Sequence, residues 1–360
     1  MRFLRLSVCV AACAAALLAM PRGSHAADVL DPDLGPTITN AVAFDSKLWV
    51  LGSAHDDKNK TSSLVSFGLS DGARQLQFSD VVAIAKSPGH LWVLRQTDTR
   101  DFVASEWQGG KFTNDNELSL PSGDLFMALA LKGDTPVVVA RHSVRVSTGK
   151  DWDSTKLRGP LVDDIAWGSA TASFSKSGNL LYLGLNRGEY GGGLLRIDVS
   201  SGEITRLGSD EISKGGSGTV LSAKDTVTAI VTDAQSPDCV IAALGMLRPQ
   251  SAGRLVRACG DTATVVLDKM STIQQDGQNI DFNEAFLGAA ATNDGFWAVS
   301  DGALYRFHQS GEPERISFPG ASVWGSLRTN RDRTDMIVVV TDMNTTMMAN
   351  GSTPIVVPLD

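Results

Sequence analysis

Residues Asp45-Ser46-Lys47-Leu48-Trp49-Val50-Leu51-Gly52 form a turn signal followed by a short apolar run. Apolar runs of this length that are bounded by turn residues are typical of buried β-strands. The phrase Leu48-Trp49-Val50-Leu51 returns in similar form, each time after a turn signal. The later copies are Leu91-Trp92-Val93-Leu94, Leu181-Tyr182-Leu183-Gly184 and Phe296-Trp297-Ala298-Val299. The recurrence predicts one small strand-based unit that is repeated along the chain.

The length of the repeat indicates the architecture. Leu48, Leu91, Val137 and Leu181 follow one another at intervals of about 45 residues, and one blade of a β-propeller takes about 40 to 50 residues. Short, evenly spaced strands also occur in β-sandwiches, but a sandwich is not expected to repeat one phrase so regularly. We therefore predict an all-β fold, a β-propeller with seven blades of four antiparallel strands. In the first blade the predicted strands are 41–44, 48–52, 63–67 and 75–78.

The later blades are less regular. A long interval before Phe296 requires an insertion, and we expect a loop from Ser271 to Ile280. Closure of the ring has two possible forms. The segment Pro354 to Leu359 lies beside the first blade, or the segment Asp28 to Thr39 completes the last one. The predicted blades are 37–78, 79–121, 122–160, 161–210, 219–270, 281–318 and 320–360.

In these turn-Leu-Trp-Val-Leu phrases the chain resembles the broad superfamily of bacterial exported seven-bladed β-propellers. The resemblance covers nearly all of the chain after its first residues. It implies a fold and no particular activity, because this architecture hosts hydrolases, lyases, sugar-binding proteins and assembly scaffolds. No catalytic residue is carried over from the superfamily.

The first 26 residues have the three parts of a secretory signal peptide. Arg2 and Arg5 precede an apolar stretch from Leu6 to Met20, and small residues end at Ala26. We place cleavage after Ala26, or alternatively after the next residue, which leaves one propeller domain over 27–360. A membrane anchor is disfavoured because the apolar stretch is shorter than the roughly 20 residues of a spanning helix. A lipoprotein signal at Cys13 is disfavoured because further apolar residues follow it.

The charge of the chain restricts its partners. Loss of Arg2, Arg5 and Arg22 with the leader changes the formal charge from −8 to −11. An acidic domain disfavours binding to nucleic acids and anionic lipid surfaces, which depends on clustered Lys and Arg. No second apolar stretch is long enough to span a membrane. We therefore expect a periplasmic or secreted monomer that binds no nucleic acid.

Two cysteines remain after the leader, Cys239 and Cys259. Two cysteines in an exported protein usually form a disulfide. The segments Cys239 to Gly245 and Gly253 to Cys259 form two predicted strands joined by a turn, and this register places the cysteines opposite each other. The alternative, a redox-active pair, lacks the C-x-x-C spacing. We predict a structural Cys239–Cys259 disulfide.

The most distinctive local sequence is Asn186-Arg187-Gly188-Glu189-Tyr190-Gly191-Gly192-Gly193, which lies between two predicted strands. Glycine-rich polar segments often serve only as hairpin turns. A turn of minimum length needs fewer glycines, however, and loops at the rim of a propeller commonly recognise partners. We predict that Asn186, Arg187, Glu189 and Tyr190 bind a polar ligand.

Oxygen-bearing side chains precede several predicted innermost strands, whose ends converge at one mouth of a central channel. Ca²⁺ binds six to eight such oxygens in flexible geometry. Asp124, Asp164, Asn283 and Glu284 are therefore candidate metal ligands. The alternative is that Asp and Asn are simply favourable in turns before strands. The full set comprises Asp80, Asp124, Asp163, Asp164, Asn283 and Glu284.

The sequence contains no complete catalytic motif. After the leader the histidines are His55, His90, His142 and His308, without an H-x-x-x-H pair, and a zinc site requires closer clusters. We predict a binding or interaction module for an envelope protein or a small polar ligand. One alternative is a metal-assisted hydrolase or lactonase, with a cation such as Ca²⁺ held by Asp124, Asp164, Asn283 and Glu284 at the channel mouth. A third is a purely structural scaffold with neither cation nor ligand.

Overall fold

The computed structural model describes residues 37–53, 62–162, 169–178, 180–188, 191–208, 220–222, 225–246, 252–275, 278–301, 303–317, 328–330, 336–340 and 355–359. Every element with bounds in these ranges is a β-strand. No helix in the same ranges has the length and apolar character needed to cross a membrane. The predicted leader and the site candidates Asp163, Asp164, Glu189 and Tyr190 lie outside the described residues.

The first seven strands form one continuous antiparallel sheet that contains two repeat units. The long fourth strand is shared by both units. Its first part, up to Phe78, pairs with the third strand, and its second part, from Ala83 to Ser87, pairs with the fifth. The four strands predicted for the first unit are confirmed. The strands are β1 (Thr37–Phe44), β2 (Lys47–Ser53), β3 (Ser62–Gly68), β4 (Arg74–Ser87), β5 (His90–Gln96), β6 (Asp101–Gln108) and β7 (Lys111–Ser119).

Four further units are four-stranded antiparallel sheets, each arranged in chain order. The third unit contains β8 (Phe126–Lys132), β9 (Thr135–Ala140), β10 (Ser143–Ser147) and β11 (Trp152–Lys156). The fourth contains β12 (Ser169–Phe174), β13 (Leu181–Asn186), β14 (Gly192–Ile197) and β15 (Ile204–Leu207). The fifth contains β16 (Val227–Thr232), β17 (Cys239–Met246), β18 (Ala252–Cys259) and β19 (Thr262–Leu267). The sixth contains β22 (Phe286–Thr292), β23 (Gly295–Ser300), β24 (Ala303–His308) and β25 (Glu314–Ser317).

A β-hairpin occupies the interval before the sixth unit, where we had expected a loop over 271–280. β20 (Met270–Gln275) pairs with β21 (Gln278–Asn283) as a separate two-stranded sheet. The loop prediction was wrong because Asp276-Gly277, which joins the strands, is a strong signal for a two-residue hairpin turn. The backbone N–H of Glu284 donates to the carbonyl of Lys269 at 2.8 Å. The two ends of the hairpin therefore meet where the chain passes from the fifth unit to the sixth.

The last described sheet closes the ring. It contains β26 (Arg328–Asn330), β27 (Met336–Val340) and β28 (Ile355–Pro358). β28 contacts both β22 and β1, as the first of the two predicted closures requires. β1, β4, β8, β12, β16, β22 and β28 surround a central channel, each in contact with the next. The fold is a β-propeller. The described part of this last sheet has three strands, so the prediction of seven four-stranded blades stays a prediction.

The hydrophobic core lies between neighbouring units. Seven clusters of buried apolar residues are found in the described chain, and each joins the faces of two adjacent units. Trp49, Trp92 and Trp297 occupy the same strand of their units and are buried, as predicted from the repeated phrase. Gly184 shows how closely the units approach. A Cβ atom at this position would lie 2.2 Å from Cγ1 of Val227 in the next unit.

The predicted disulfide is confirmed. Cys239 in β17 lies directly opposite Cys259 in β18, and their sulfur atoms are bonded. The cross-link therefore joins two neighbouring strands of the fifth unit. In the chain-entropy treatment a loop of this size contributes on the order of 3 kcal/mol to stability.

Candidate functional site

The central channel is a cavity of about 1910 Å³. We call the end at which β1, β8, β12, β16 and β22 begin the upper mouth, and the end at which they finish the lower mouth. The second part of β4, from Ala83 to Ser87, runs in the same direction and finishes at the lower mouth. The wall between the mouths consists mainly of small or apolar side chains, such as those of Ala85, Met127 and Ala172. These small residues at the innermost strands leave the channel open.

The glycine-rich loop Asn186–Gly193 connects the second and third strands of the fourth unit. The backbone N–H of Arg187 donates to the carbonyl of Gly191 at 2.9 Å. Oδ1 of Asn186 accepts a hydrogen bond from the N–H of Gly188 at 3.1 Å. Gly188, Gly191 and Gly193 have positive φ angles of 58°, 80° and 89°. The backbone itself therefore requires these glycines, and their number is no independent indication of a ligand.

The loop is fixed against the segment that begins the fifth unit. Oγ1 of Thr226 donates to the carbonyl of Gly188 at 2.9 Å, and the N–H of Gly193 donates to the carbonyl of Asp225 at 2.8 Å. Because Thr226 directly precedes β16, these contacts place the described part of the loop on the upper side of the ring. The loop residues that are described do not line the channel cavity.

Two arginines and a carboxylate help to hold this loop in position. Nη2 of Arg254 lies 2.7 Å from Oδ2 of Asp225, and Nη1 of Arg206 donates to the carbonyl of Gly192 at 3.0 Å. Burial raises the pKa of Asp225 above its ordinary value, although the neighbouring Arg254 guanidinium acts in the opposite direction. The segment that anchors the loop is thus itself held by an ion pair.

Arg187 has an unusual environment among the predicted ligand-binding residues. Its side chain is half-buried, and its Nε atom is buried with no hydrogen-bond partner among the described residues. Asn186 lies at the end of β13, half-buried, with its side-chain oxygen bound within the loop. The structure therefore brings Asn186 and Arg187 to one turn, and it gives Arg187 an unused donor.

Asp124, the first candidate metal ligand, is buried before β8. Its Oδ1 accepts hydrogen bonds from the backbone N–H groups of His142 at 2.8 Å and Leu125 at 3.2 Å. Its Oδ2 accepts a hydrogen bond from Oγ of Ser143 at 2.6 Å. Both oxygens therefore bind donors of the same unit and tie the start of β8 to the following strands.

Glu284, another candidate metal ligand, is fully buried before β22. Its Oε2 accepts hydrogen bonds from Oγ of Ser300 and the hydroxyl of Tyr305, each at 2.7 Å. Its Oε1 lies 3.0 Å from Nη2 of Arg315. The neighbouring Asn283 donates from Nδ2 to Asp268 at 3.0 Å. The Glu284 carboxylate is thus the centre of a hydrogen-bonded cluster within the sixth unit.

The described candidate metal ligands are not brought together. Asp124 belongs to the third unit and Glu284 to the sixth, and each faces partners in its own unit. Within the described ranges, no group of three or more His, Cys, Asp or Glu side chains has a geometry that could hold a metal ion. Asp164 lies outside those ranges.

Sequence reasoning did not identify the residues that hold the loop. Arg206, Asp225, Thr226 and Arg254 follow the loop by up to about 70 residues in sequence. No motif connects them with Asn186–Gly193. Arg206 reaches the loop from the neighbouring strand of the same unit, whereas Asp225, Thr226 and Arg254 reach it because the fifth unit packs beside the fourth.

Comparisons with known proteins assign this chain to no family. No family model matches it, and no curated protein matches it. The WD40 domain of Neurospora crassa Pan2 matches with a TM-score of 0.48 and 10% identity, over 86% of each chain. The β-propeller domain of the Pyrococcus furiosus Trilobed protease matches with a TM-score of 0.46 and 9% identity, over 87% of this chain and 93% of that one.

A further match is the extracellular domain of the putative one component system BT4673 from B. thetaiotaomicron. Its TM-score is 0.47 and its identity 15%, and the match covers 87% of this chain but only 38% of that chain. Similarities at this level of identity and TM-score carry no argument about the activity of the protein. The function has to be inferred from the site itself.

Proposed function

We propose that this protein is an exported binding module that recognises a polar ligand, as a small molecule or on an envelope protein, through the loop Asn186–Gly193. One observation carries the proposal. Nε of Arg187 is a buried donor without a hydrogen-bond partner among the described residues. Because this atom is buried, a ligand oxygen would reach it only after a local shift of the half-buried Arg187 side chain, and it would then complete the hydrogen bonding of Nε.

The energetic argument concerns the cost of an unused donor. More than nine in ten buried polar groups in proteins have a hydrogen-bond partner. A buried donor that lacks one costs about 1 to 3 kcal/mol, and more when it is charged. A guanidinium also presents planar donors that match carboxylate and phosphate oxygens. We therefore expect the recognised group on the ligand to be an oxygen acceptor, and an anionic one in particular.

The anchoring of the loop supports the same function. Hydrogen bonds from Thr226 and to Asp225 fix its backbone before any ligand binds. A loop that is already ordered loses little conformational entropy on binding, which favours affinity. Asn186 is the second contact residue in this proposal, with Glu189 and Tyr190 as further contributors from the same loop.

The proposed location is outside the cytoplasm, in the periplasm or the medium. The Cys239–Cys259 disulfide supports it, because such bonds persist in oxidising compartments and are rare in the cytosol. The basic and apolar residues at 1–26 support it as a signal peptide. The partner in this compartment is an envelope protein or a small polar ligand, and the binding unit is the monomer.

The proposal is tested by thermal melting of the purified protein against a panel of carboxylates, phosphates, uronic acids and neutral sugars. We expect an oxygen-rich anion to raise the melting temperature of the wild-type protein, because a ligand that binds only the folded state stabilises it. Arg187→Ala should abolish this shift while the melting temperature without ligand stays near the wild-type value. If the ligand is a macromolecule, cross-linking to envelope proteins tests the proposal instead. The wild-type protein should form cross-links that the Arg187→Ala variant does not.

Arg100→Ala is the matched control, since Arg100 is exposed on the corresponding loop of the second unit. This variant should keep the wild-type response to the ligand. A large fall in melting temperature for Arg187→Ala without ligand would show a structural role and contradict the proposal. So would equal loss of the ligand response in both variants.

No observation favours the metal-assisted hydrolase over this function. Asp124 and Glu284, on which that hypothesis rests, already accept hydrogen bonds from protein donors. We therefore do not propose it.

A further inference from the structure

Three lysines occupy the lower mouth of the channel on successive units. Lys86 lies near the end of β4, Lys132 ends β8, and Lys176 follows β12. All three side chains are exposed. In the described portion of the chain, none of them has an ion pair or a hydrogen bond. We call these residues the lysine arc.

The lysine arc is continuous from one unit to the next. The stem of Lys132 crosses the turn that carries Lys176, because a Cβ atom on Gly178 would lie 3.8 Å from Cγ of Lys132 and 3.9 Å from its Cε. Lys86 and Lys176 both line the channel cavity. Two of the three lysines therefore line the same opening, and the stem of the third packs beside the turn that carries Lys176.

Carboxylates also lie at this mouth, but among the described residues none of them forms an ion pair with the lysine arc. Oδ2 of Asp45 accepts a hydrogen bond from Nε1 of Trp107 at 2.7 Å. Oδ1 of Asp134 accepts one from Oγ of Ser87 at 2.9 Å, and its Oδ2 lies 3.4 Å from Nε2 of His90. Asp294 on the sixth unit is paired with Arg306 and His308.

The distribution of charge is notable because the chain as a whole carries a formal charge of −8. The described charged residues that line the channel are Asp45, Lys86, Arg141 and Lys176. Lys86, Lys176 and Asp45 lie at the lower mouth, whereas Arg141 follows β9 and lies at the upper one. Between the mouths the wall is uncharged. Ammonium groups on neighbouring units repel one another, and an anion bound between them offsets that repulsion.

We propose that the channel binds a single-chain anionic amphiphile through its lower mouth. The carboxylate or phosphate head lies among the lysine arc, and the apolar chain extends along the alanine-rich wall. Burial of each CH₂ group of the chain is favourable, so the chain supplies most of the affinity. The lysine arc then supplies the preference for an anionic head over a cationic or neutral one.

This site is separate from the loop at the upper side of the ring. It shares no residue with Asn186–Gly193, and it would remain if the proposed function of that loop failed. The Arg187→Ala variant should therefore bind the amphiphile as the wild-type protein does.

The test is calorimetric titration of the full exported chain with decanoate and decyl phosphate, each below its micelle concentration. Decyltrimethylammonium has the same chain with a cationic head, and acetate has the head without the chain. We expect at least one of the two anionic amphiphiles to bind, and both decyltrimethylammonium and acetate to bind at least tenfold more weakly. The triple variant Lys86→Gln, Lys132→Gln, Lys176→Gln should weaken the anionic amphiphile by about tenfold, since three exposed charge pairs are lost.

The matched control is the triple variant Lys111→Gln, Lys150→Gln, Lys269→Gln, which removes the same charge from exposed lysines elsewhere. It should bind as the wild-type protein does. Ala291→Trp tests the position of the chain, because Ala291 is exposed and lines the cavity at the lower mouth. It should weaken the amphiphile without affecting folding. No binding of either anionic amphiphile, equal binding of the cationic one, or equal weakening in both triple variants would overturn the proposal.

Discussion

At the scale of the residue, the buried Glu284 carboxylate shows how this propeller accommodates a charge. Burial of an unpaired carboxylate is costly, whereas one with several donors is tolerated. Ser300, Tyr305 and Arg315 supply those donors. Arg315 also donates from Nε to the hydroxyl of Tyr305 at 3.1 Å. Glu284, Tyr305 and Arg315 therefore form a closed hydrogen-bonded network, and Ser300 is joined to it through Glu284. This network fastens the start of β22 to the outer strands of its unit.

The same network makes a prediction about pH. Burial, followed by the hydrogen bond to Glu284, raises the pKa of Tyr305 to about 12. The folded protein therefore holds the phenolic proton more tightly than the unfolded chain, in which tyrosine titrates near pH 10. This contribution to stability is complete below pH 10 and is lost as the pH rises from about 10 to about 12. We expect Tyr305→Phe to be less stable than the wild-type protein at pH 9, and the difference to shrink by pH 11.

Urea unfolding at the two pH values measures this difference directly. Because Phe has no proton to lose, the variant lacks the part of the alkaline decline that Tyr305 causes. A stability difference that stays constant from pH 9 to pH 11 would contradict the assignment.

At the scale of the element, the hairpin β20–β21 is an addition to the propeller repeat. Its ends meet where the N–H of Glu284 donates to the carbonyl of Lys269. The two strands form their own sheet and pair with no strand of the ring in the described residues. The ring therefore does not depend on the hairpin for its hydrogen bonding.

This separation leads to a prediction for a deletion. Replacement of residues 270–283 by Gly-Gly should give a soluble, folded protein, because a two-residue connection suits an antiparallel pair such as Lys269 and Glu284. Among the described elements, the main contact of the hairpin with the ring is that of β21 with β18, so we expect a loss of about 1 kcal/mol or less in the free energy of unfolding. Circular dichroism and urea unfolding provide the measurement. Aggregation, or a loss of several kcal/mol, would show that the hairpin belongs to the core.

At the scale of the whole molecule, neighbouring units interact through seven apolar clusters and few charges. Asp124 and Glu284, the described candidate carboxylates near the upper mouth, accept hydrogen bonds from protein donors, so neither of them needs a cation to balance its position. We therefore expect neither EDTA nor added Ca²⁺ to change the melting temperature. Thermal melting with elemental analysis of the purified protein checks this expectation. Stoichiometric metal, together with a chelator-sensitive melting temperature, would contradict it. That result would support the candidate metal ligands Asp124, Asp164, Asn283 and Glu284.

The sequence predicted the repeat well because its strands carry a repeated apolar phrase. The second strands of the units bury Trp49, Trp92, Tyr182 and Trp297 between neighbouring faces, and a buried face demands large apolar residues at a fixed position. The hairpin over 270–283 was missed for the opposite reason. It lies outside the repeat, and only the Asp276-Gly277 turn signal marked it.

The candidate site was predictable only in part. The polar, glycine-rich composition identified the loop at Asn186–Gly193, but composition cannot show that most of its glycines serve the backbone. Nor can it show that Nε of Arg187 is buried, since that depends on the packing of the next unit. The lysine arc was also invisible, because Lys86, Lys132 and Lys176 share no motif and meet only at the lower mouth.

The position of β28 sets the order in which this molecule can be completed. β28 fills the gap between β22 and β1, although about 310 residues separate it from β1 in sequence. While the ribosome is still making the chain, the apolar faces of the first and sixth units that Val356 and Val357 cover have no partner. The ring that surrounds the channel therefore cannot close before residues 355–358 have been synthesised and β28 has packed between β22 and β1. Any ligand of the channel meets a cavity whose wall is complete only after that step.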